Sequence, residues 1–452
     1  MSDQGINTNE YRELRSDYKY YIDSYNAMYR LKTENDDEIN SIYEMIKTEL
    51  IDSKKHYVQT IIRDVLNMIL YNNRYTKSYL KLAKLIYDDN NVKEVHGINS
   101  ISNFLFHKEY DIILDKTDNF KEIELNHRDI HSENPIYRAI MNDDIKNLID
   151  FTERNEFDED QKLKSKLYPY SKEGYSLLEL CCYHGAVDCF KFLRTKCESE
   201  ITDSCLQLSF LGGNPEIISE CLKSKKPNKE CMKYTIISHN IDFVTFLMNE
   251  HNIVIDLEWC GAYDNLESFL VYFDQIKDFN ECFIHSTLFN IPPFSEYFFA
   301  RIKDINIKNQ DGQTPLHYAA MNNSKDTAEL LISHGANINE KDKGERTPLH
   351  YAAMNNSKET AGVLFSHGAN INEKDIDRQT PLHHAVMNNR KDTAELLISH
   401  GANINEKGKG ERNPLHHAAM NNSKDTAELI ISHGANINEN DINGKTALRL
   451  AV

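Results

Sequence analysis

The chain has 452 residues, a formal charge of −18 at pH 7, and 40% hydrophobic against 27% charged residues. That surplus of carboxylates repels phosphate backbones and anionic lipid, so it argues against nucleic acid and membranes as partners, and the basic run Lys223-Ser224-Lys225-Lys226 is too short to reverse it. No run of apolar residues is long enough to cross a bilayer, Met1-Ser2-Asp3-Gln4 opens no signal peptide, and the nine cysteines, an odd set confined between Cys181 and Cys282, argue against a disulfide framework; the expected location is cytoplasmic, or nuclear through a bound partner, with reduced thiols.

Residues 1–130 read as a helical N-terminal region. Ile39, Ile42, Tyr43, Ile46 and Leu50 recur at helical spacing behind Asn35-Asp36-Asp37, whose side chains suit the positive end of a helix. Val58, Ile61, Ile62, Val65, Leu66, Ile69 and Leu70 form a broader stripe that Asn72-Asn73 can end. Tyr79, Leu82, Leu85 and Ile86 form a third.

Residues 131–305 read as divergent copies of one helical hairpin. Asn134-Pro135-Ile136-Tyr137-Arg138-Ala139-Ile140-Met141-Asn142 parallels Asn413-Pro414-Leu415-His416-His417-Ala418-Ala419-Met420-Asn421, with Ile145, Leu148 and Ile149 behind it. A charged insertion follows from Glu153 to Lys172, containing Glu156-Phe157-Asp158-Glu159-Asp160, and reads as a surface loop. The segment from Ser176 to Gly185 repeats the inner-helix pattern with Cys181-Cys182 where other copies hold two alanines, so each thiol serves as a slightly larger alanine. Phe190, Phe192 and Leu193 make the stripe of its second helix. Weaker units run from Cys205 to Leu222 with a break at Gly213, from Cys231 to Met248, from Leu257 to Leu270 and from Ile284 to Phe299. At a spacing of about 26 to 30 residues they have room for two helices and little for a finger.

Residues 306–452 are regular. The phrase Thr314-Pro315-Leu316-His317 returns at Thr347, Thr380, Asn413 and Thr446, every 33 residues. A unit of a turn and two short helices cannot bury its apolar face alone, so the units must stack. Thr314 can accept the orphan N–H groups of the first turn, and Pro315 stands where a missing donor costs nothing. Leu316, Ala319 and Ala320 fall on one face, and the alanines let neighbouring helices approach closely. Asn323 ends that helix, because asparagine tolerates the left-handed conformation. Ala328, Leu331 and Ile332 form the buried stripe of a second helix that Gly335 closes.

The pattern T-P-L-H-x-A-A, followed by a helix and Ser-His-Gly-Ala-Asn-Ile-Asn, resembles the ankyrin repeat. The helical segments and leading divergent units, about residues 20–290, resemble an uncharacterised domain that precedes ankyrin arrays in protist proteins. These resemblances imply an all-α, ankyrin-type alpha-solenoid of helix-turn-helix repeats, with short β-hairpin fingers in the C-terminal repeats and a helical N-terminal region before them. They place Ile338 in a strand-like arm of a finger. The family usually has glycine two residues before the Thr, as at Gly312 and Gly444. Glu345, Arg378 and Glu411 stand there in the other copies, so those three turns are expected to be looser or of another type. The fifth copy reaches Val452 after one inner helix; Leu448 and Leu450 are expected to cover the fourth copy, and this end to fray.

Residues that could do chemistry are few. His317, His350, His383 and His416 form one column and His334, His367, His400 and His433 another. Stacked helices lie about 8 to 10 Å apart, too far for equivalent histidines to share a metal whose ligands sit at about 2 Å. The imidazole in T-P-L-H is better read as tying its helix start to neighbouring backbone. Cys181, Cys182, His184 and Cys189 are close in sequence, yet Cys181 and Cys182 point in different directions on one helix, so packing is favoured. No nucleophile elbow, phosphate loop, zinc-protease motif or dinucleotide fingerprint occurs, and no metal or cofactor is expected. The chain reads as no enzyme.

A binding surface remains. The resemblance puts it on the fingertips and the exposed side of the inner helices: Lys343, Gly344 and Arg346; Ile376, Asp377 and Gln379; Lys409, Gly410 and Arg412; and the pairs Met321-Asn322, Met354-Asn355, Met387-Asn388 and Met420-Asn421. Methionine adapts to irregular partner shapes, which suits protein recognition, although a repeated methionine also packs on its neighbouring helix. Tyr318 and Tyr351 give way to His384 and His417, the main graded change along this face. The function expected is a non-catalytic protein–protein interaction scaffold, binding partner proteins on its concave face and fingers. The alternative is a substrate adaptor whose N-terminal helices recruit a ubiquitin ligase or another enzyme.

Overall fold

The computed structural model describes residues 9–53, 56–116, 120, 123, 135–154, 157–302 and 304–451. Asn134 and Glu156, named above, lie outside them, as does the extreme N-terminus. The chain is all-α and divides into two compact units, residues 1–275 and 276–452.

In the first unit, Asn35 caps the helix Asp36–Ile46 by accepting the N–H of Asp37 at 2.8 Å, and three acidic residues fill the first turn. The stripe read from the sequence is the buried one: Ile39, Tyr43, Ile46 and Leu50 face inward. Val58–Asn67 likewise buries Ile61, Ile62, Val65 and Leu66, and Thr76–Asp89 buries Tyr79, Leu82 and Ile86. Five helix pairs follow: Pro135–Met141 with Ile145–Thr152, Leu177–His184 with Val187–Lys196, Asp203–Gly212 with Pro215–Ser224, Lys229–Ile237 with Ile241–His251, and Leu257–Ala262 with Leu266–Ile276. Short polar side chains start most of them. Ser176 and Glu179 form a reciprocal capping box, and Thr202, Asn214, Asn228, Asn240 and Asp256 each accept a first-turn N–H.

Eight of the nine cysteines are buried among the helices, and Cys197, at the end of Val187–Lys196, is half-exposed. Cys181, Cys182, Cys189, Cys205 and Cys221 have no exposed surface, and burial pushes the Cys181 and Cys182 thiols well up. The charged insertion differs from its reading as a plain surface loop. Leu163, Leu167 and Tyr168 are buried, Lys162–Leu163 pairs antiparallel with Tyr175–Ser176, and the Leu167 carbonyl accepts from Asn73 Nδ2 at 2.7 Å. Its apolar residues act as an anchor that the surrounding charge concealed.

The second unit stacks Phe279–Ser286 with Pro292–Phe299, then four near-identical pairs: Pro315–Met321 with Lys325–Ser333, Pro348–Asn355 with Lys358–Ser366, Pro381–Met387 with Lys391–Ser399, and Pro414–Met420 with Lys424–Ser432. Identical residues make identical ladders. The N–H of Thr360, Thr393 and Thr426 donates to the side chain of Asn323, Asn356 and Asn389 in the preceding copy, at 3.1 to 3.2 Å. Asn339, Asn372 and Asn405 accept in the same way from Asn370, Asn403 and Asn436. Lys308–Glu340, Lys341–Glu373, Lys374–Glu406 and Lys407–Glu439 form a column of ion pairs at 2.6 to 2.8 Å.

Three expectations change in detail. Ile338 lies in a turn rather than an extended arm, because Asn337 accepts the N–H of Asn339 and Glu340 and folds the chain there. Of the three fingertip turns with no glycine two residues before the Thr, the second and third keep the form of those with it, while the fourth is of another type, as expected, because Gly410 is left-handed at φ 72° as well as Glu411. Glu345, Arg378 and Glu411 adopt φ of 58°, 59° and 57°, beside 81° and 69° at Gly312 and Gly444, and all five close the same bond to the carbonyl three residues back. Each finger is thus a tight hairpin closed by two main-chain bonds, with arms too short for a ladder. Lastly, Ala447 is buried in the short turn Ala447–Arg449, but Leu448 is 83% exposed and does not cover the fourth copy.

Candidate protein-interaction surface

Each inner helix of the regular array presents two ends. At its start, the N–H of Thr314 donates to His317 Nδ1 at 3.0 Å, and His317 Nε2 donates to the carbonyl of Arg346 in the next finger at 3.0 Å. His350, His383 and His416 repeat this with the carbonyls of Gln379, Arg412 and Lys445. A ring nitrogen that accepts from a backbone N–H carries no proton, so the other must, and the tautomer is fixed. Burial holds the rings of His317, His350 and His383 neutral, with His350 pushed down to about 4 and His383 to about 3. Both nitrogens of each ring are therefore structural. In the second column, His334, His367, His400 and His433 bond the carbonyl four residues back through Nδ1 at 2.9 Å.

The fingertips line up in a row joined through main chain: the N–H of Lys343, Ile376, Lys409 and Ile442 donates to Asp311, Gly344, Asp377 and Gly410 of the preceding finger. Lys343 and Lys409 are exposed, and Ile376 and Ile442 alternate with them at 64% and 72% exposure. Lys409 also pairs with Asp377 at 2.6 Å. Arg346, Gln379 and Arg412 are half-buried; their carbonyls receive the histidines, so their backbones position the fingers.

At the other end stand the methionines and asparagines. Met321, Met354 and Met387 are half-buried and Met420 is 46% exposed. The amide groups of Asn355, Asn388 and Asn421 donate to carbonyls four residues back in their own helices at 2.9 to 3.0 Å, and Asn322 donates to Leu288. That engages donors which sequence reading had left for a partner. The named residues thus form two rows, fingertips and helix ends, separated by a helix of seven or eight residues or about 10 Å.

Sequence reading missed a third row between them. Nine residues before each graded Tyr or His stands a finger residue that meets it: Asn309 donates to Tyr318 at 3.0 Å, Tyr351 donates to Asp342 at 2.6 Å, and His384 pairs with Asp375 at 2.8 Å. In the fourth copy that position is Gly408. Among the described residues, His417 Nε2 is buried with no hydrogen-bond partner, and burial, then the Arg412 guanidinium, pushes its imidazole down to about 4. The constant nine-residue offset was the available signal.

The helix ends of the first unit occupy the same structural position but have another environment. Positive-φ residues mark them in both units: Gly185, Gly213, His239 and Asp264 correspond to Asn323, Asn356, Asn389 and Asn422. Tyr183, in the Met321 position, donates to the Leu70 carbonyl at 2.8 Å and accepts from the N–H of Asn73. Tyr263 meets Tyr71, His239 bonds Asn26 and stacks on Tyr29 with centroids 4.1 Å apart, and Asp264 accepts from Tyr21. The N-terminal helices cover the divergent helix ends. Buried with them, Asp264 titrates well above the usual carboxylate range, through burial first and Asp64 second, despite Arg63 nearby.

Against known proteins, a family model described as ankyrin repeats matches residues 290–375, 346–408 and 382–452, and one described as a domain of unknown function, DUF3447, matches residues 197–272. The chain therefore carries ankyrin repeats, with a domain of unknown function ahead of them. In this structure that domain's matched segment coincides with three stacked helix pairs, Asp203 to Ile276. No curated protein matches the chain. Ankyrin-repeat proteins are generally non-catalytic interaction scaffolds, and the match supports a protein–protein interaction role in general. No described helix is long and apolar enough to cross a membrane.

Proposed function

We propose that this chain is a non-catalytic scaffold whose regular repeats capture helical segments of partner proteins across Met321, Met354, Met387 and Met420, with the fingertip row of Lys343, Ile376 and Lys409 selecting among them. One observation carries this reading: the corresponding helix ends of the first unit already hold helices, those of the chain's own N-terminal region, through Tyr183, His239 and Asp264. A surface that accepts helices in one set of repeats is chemically suited to do so in another. Half-buried methionine fits that role because its side chain adapts to irregular neighbours.

The test is a photo-crosslinking amino acid at Met387, with an outer-helix control at Glu395, in the full chain expressed in its own cells. Crosslinks to defined proteins at Met387 and few at Glu395 are expected. The variant Met354→Glu/Met387→Glu/Met420→Glu should fold, by circular dichroism, and lose at least tenfold in capture of those proteins. Unchanged capture by the folded variant sinks the site. Ligase subunits among the crosslinked proteins would favour the adaptor alternative.

A further inference from the structure

A cavity of about 270 Å³ opens in the first unit beside the end of the helix Lys19–Tyr29. One wall carries Arg30, Lys32 and Arg74. The other is built from the ends of the inner helices Leu177–His184, Asp203–Gly212 and Lys229–Ile237. Among the described residues, no aspartate or glutamate lines it. Lys32 Nζ lies over Gly213, 3.9 Å from where a Cβ would stand, so the backbone leaves room for the ammonium. Arg74 lies 5.9 Å from the ring of Tyr75. Among the described residues, none of the three cations forms an ion pair or donates a side-chain hydrogen bond, and the charges acting on Lys32 are Arg30 and Arg74 alone. Burial first, then those two guanidinium groups, lowers the pKa of Lys32.

Such a wall runs against the composition of a chain of net charge −18. Three cations held together with no acid raise the local potential and leave their donors for something else. Helix C-termini opposite them carry about half a negative charge each, which offsets part of the repulsion. They do not, however, take the donors.

We propose that this cavity binds a small phosphorylated molecule carrying at least two negative charges. Two guanidinium forks match phosphate oxygens in pairs, and the ammonium adds a point charge between them. The volume equals that of about nine waters, more than one phosphate group fills and less than a dinucleotide needs. Asn72 Nδ2 already donates to the Leu31 carbonyl and the Tyr79 hydroxyl, so Tyr75, also on the wall, offers its ring face to the rest of the molecule.

The experiment uses the full chain with pyrophosphate and glucose 1,6-bisphosphate as probes, by calorimetry at ionic strength matched with chloride. Saturable binding is expected, weakened at least tenfold in Lys32→Met/Arg74→Gln. Without a probe that variant should be as stable as the parent or more so, because repulsion is relieved. The proposal is overturned by absent binding, by equal binding in the variant, or by a less stable variant, which would assign the cations to the helix ends. Should the variant not fold, hydrogen exchange on the unmodified chain decides: pyrophosphate should protect residues 29–32, 71–75 and 210–213, and protection elsewhere or nowhere rejects the site. Vesicles containing phosphatidylinositol bisphosphate form the last arm; capture that pyrophosphate displaces would place the same chemistry on a lipid headgroup.

Discussion

The helix ends of residues 177–264 and those of residues 321–422 share one local geometry and have opposite surroundings. In the first set, Tyr183, His239, Tyr263 and Asp264 are large or polar and are matched to particular partners on the N-terminal helices. In the second, Met-Asn-Asn recurs unchanged, and its asparagines turn back onto their own helices and the neighbouring copy. Divergence accompanies a fixed intramolecular partner. Identity accompanies ladders whose only partner is the next repeat, which leaves the methionines as the adaptable part of the surface.

Acid should separate the two units most strongly. An unfolded imidazole titrates near ~6.5, whereas His350 and His383 are held down to about 4 and about 3. Between those values the unfolded chain binds the extra protons, so the stability conferred by neutral rings is complete above ~6.5 and falls as pH drops. At about 1.4 kcal/mol per pH unit for each ring, lowering the pH from ~6.5 to ~4.5 removes about 5 kcal/mol from the second unit. In the first unit His239, pushed down to about 3 by burial, acts in the same sense. Asp264 acts in the opposite one: its folded pKa is raised, so its contribution is complete below the unfolded value of ~3.9 and is lost as pH rises. The two slopes offset each other. Hydrogen exchange against pH should show a steep acid loss in residues 315–420 and a shallow one in residues 177–275, and Asp264→Asn should steepen the latter. Equal slopes in both units would break the comparison.

The extent to which this was legible in the sequence follows from periodicity. A 33-residue repeat of strong caps announces itself, and the helix pairs and their buried stripes stand where the spacing put them, even where cysteine replaces alanine at Cys181 and Cys182. Contacts between distant segments were not legible, since nothing in local spacing tells Tyr183 that Leu70 and Asn73 will lie above it. Asn355, Asn388 and Asn421 were misjudged in part because a side chain bonding its own helix leaves the same sequence signature as one offered to a partner. Arg378 was misjudged because a left-handed residue without glycine is held by the bonds of its turn, which propensity alone does not count.

A smaller effect probes the row between fingers and helix ends. Gly408→Asp should supply the carboxylate that Asp375 gives to His384, and the added Cβ meets nothing closer than 3.4 Å. Satisfying the buried His417 nitrogen should stabilise the fourth repeat by about 1 to 2 kcal/mol and raise the His417 pKa, readable by urea unfolding and by NMR titration of the imidazole. An unchanged unfolding midpoint would mean that the orphaned nitrogen costs the fold nothing.

The smallest effect lies at the first three fingertips, where one backbone conformation is held by different residues. A Cβ at φ near 60° costs about 1 to 2 kcal/mol, and glycine returns about half of that as greater freedom in the unfolded chain. Arg378→Gly and Glu345→Gly should therefore each stabilise the second unit by about 0.5 to 1 kcal/mol, less the few tenths contributed by the exposed Arg378–Glu411 pair at 3.7 Å. Gly312→Ala, in the same slot, should destabilise by more, because its φ is 81° and its new Cβ would stand 3.0 Å from the Lys343 nitrogen. Opposite signs in one unfolding series would show that the first three fingers share a single turn. Same-sign results would mean that the fingers without glycine relax into a turn of their own, and the regular array would then be less uniform than its repeated sequence implies.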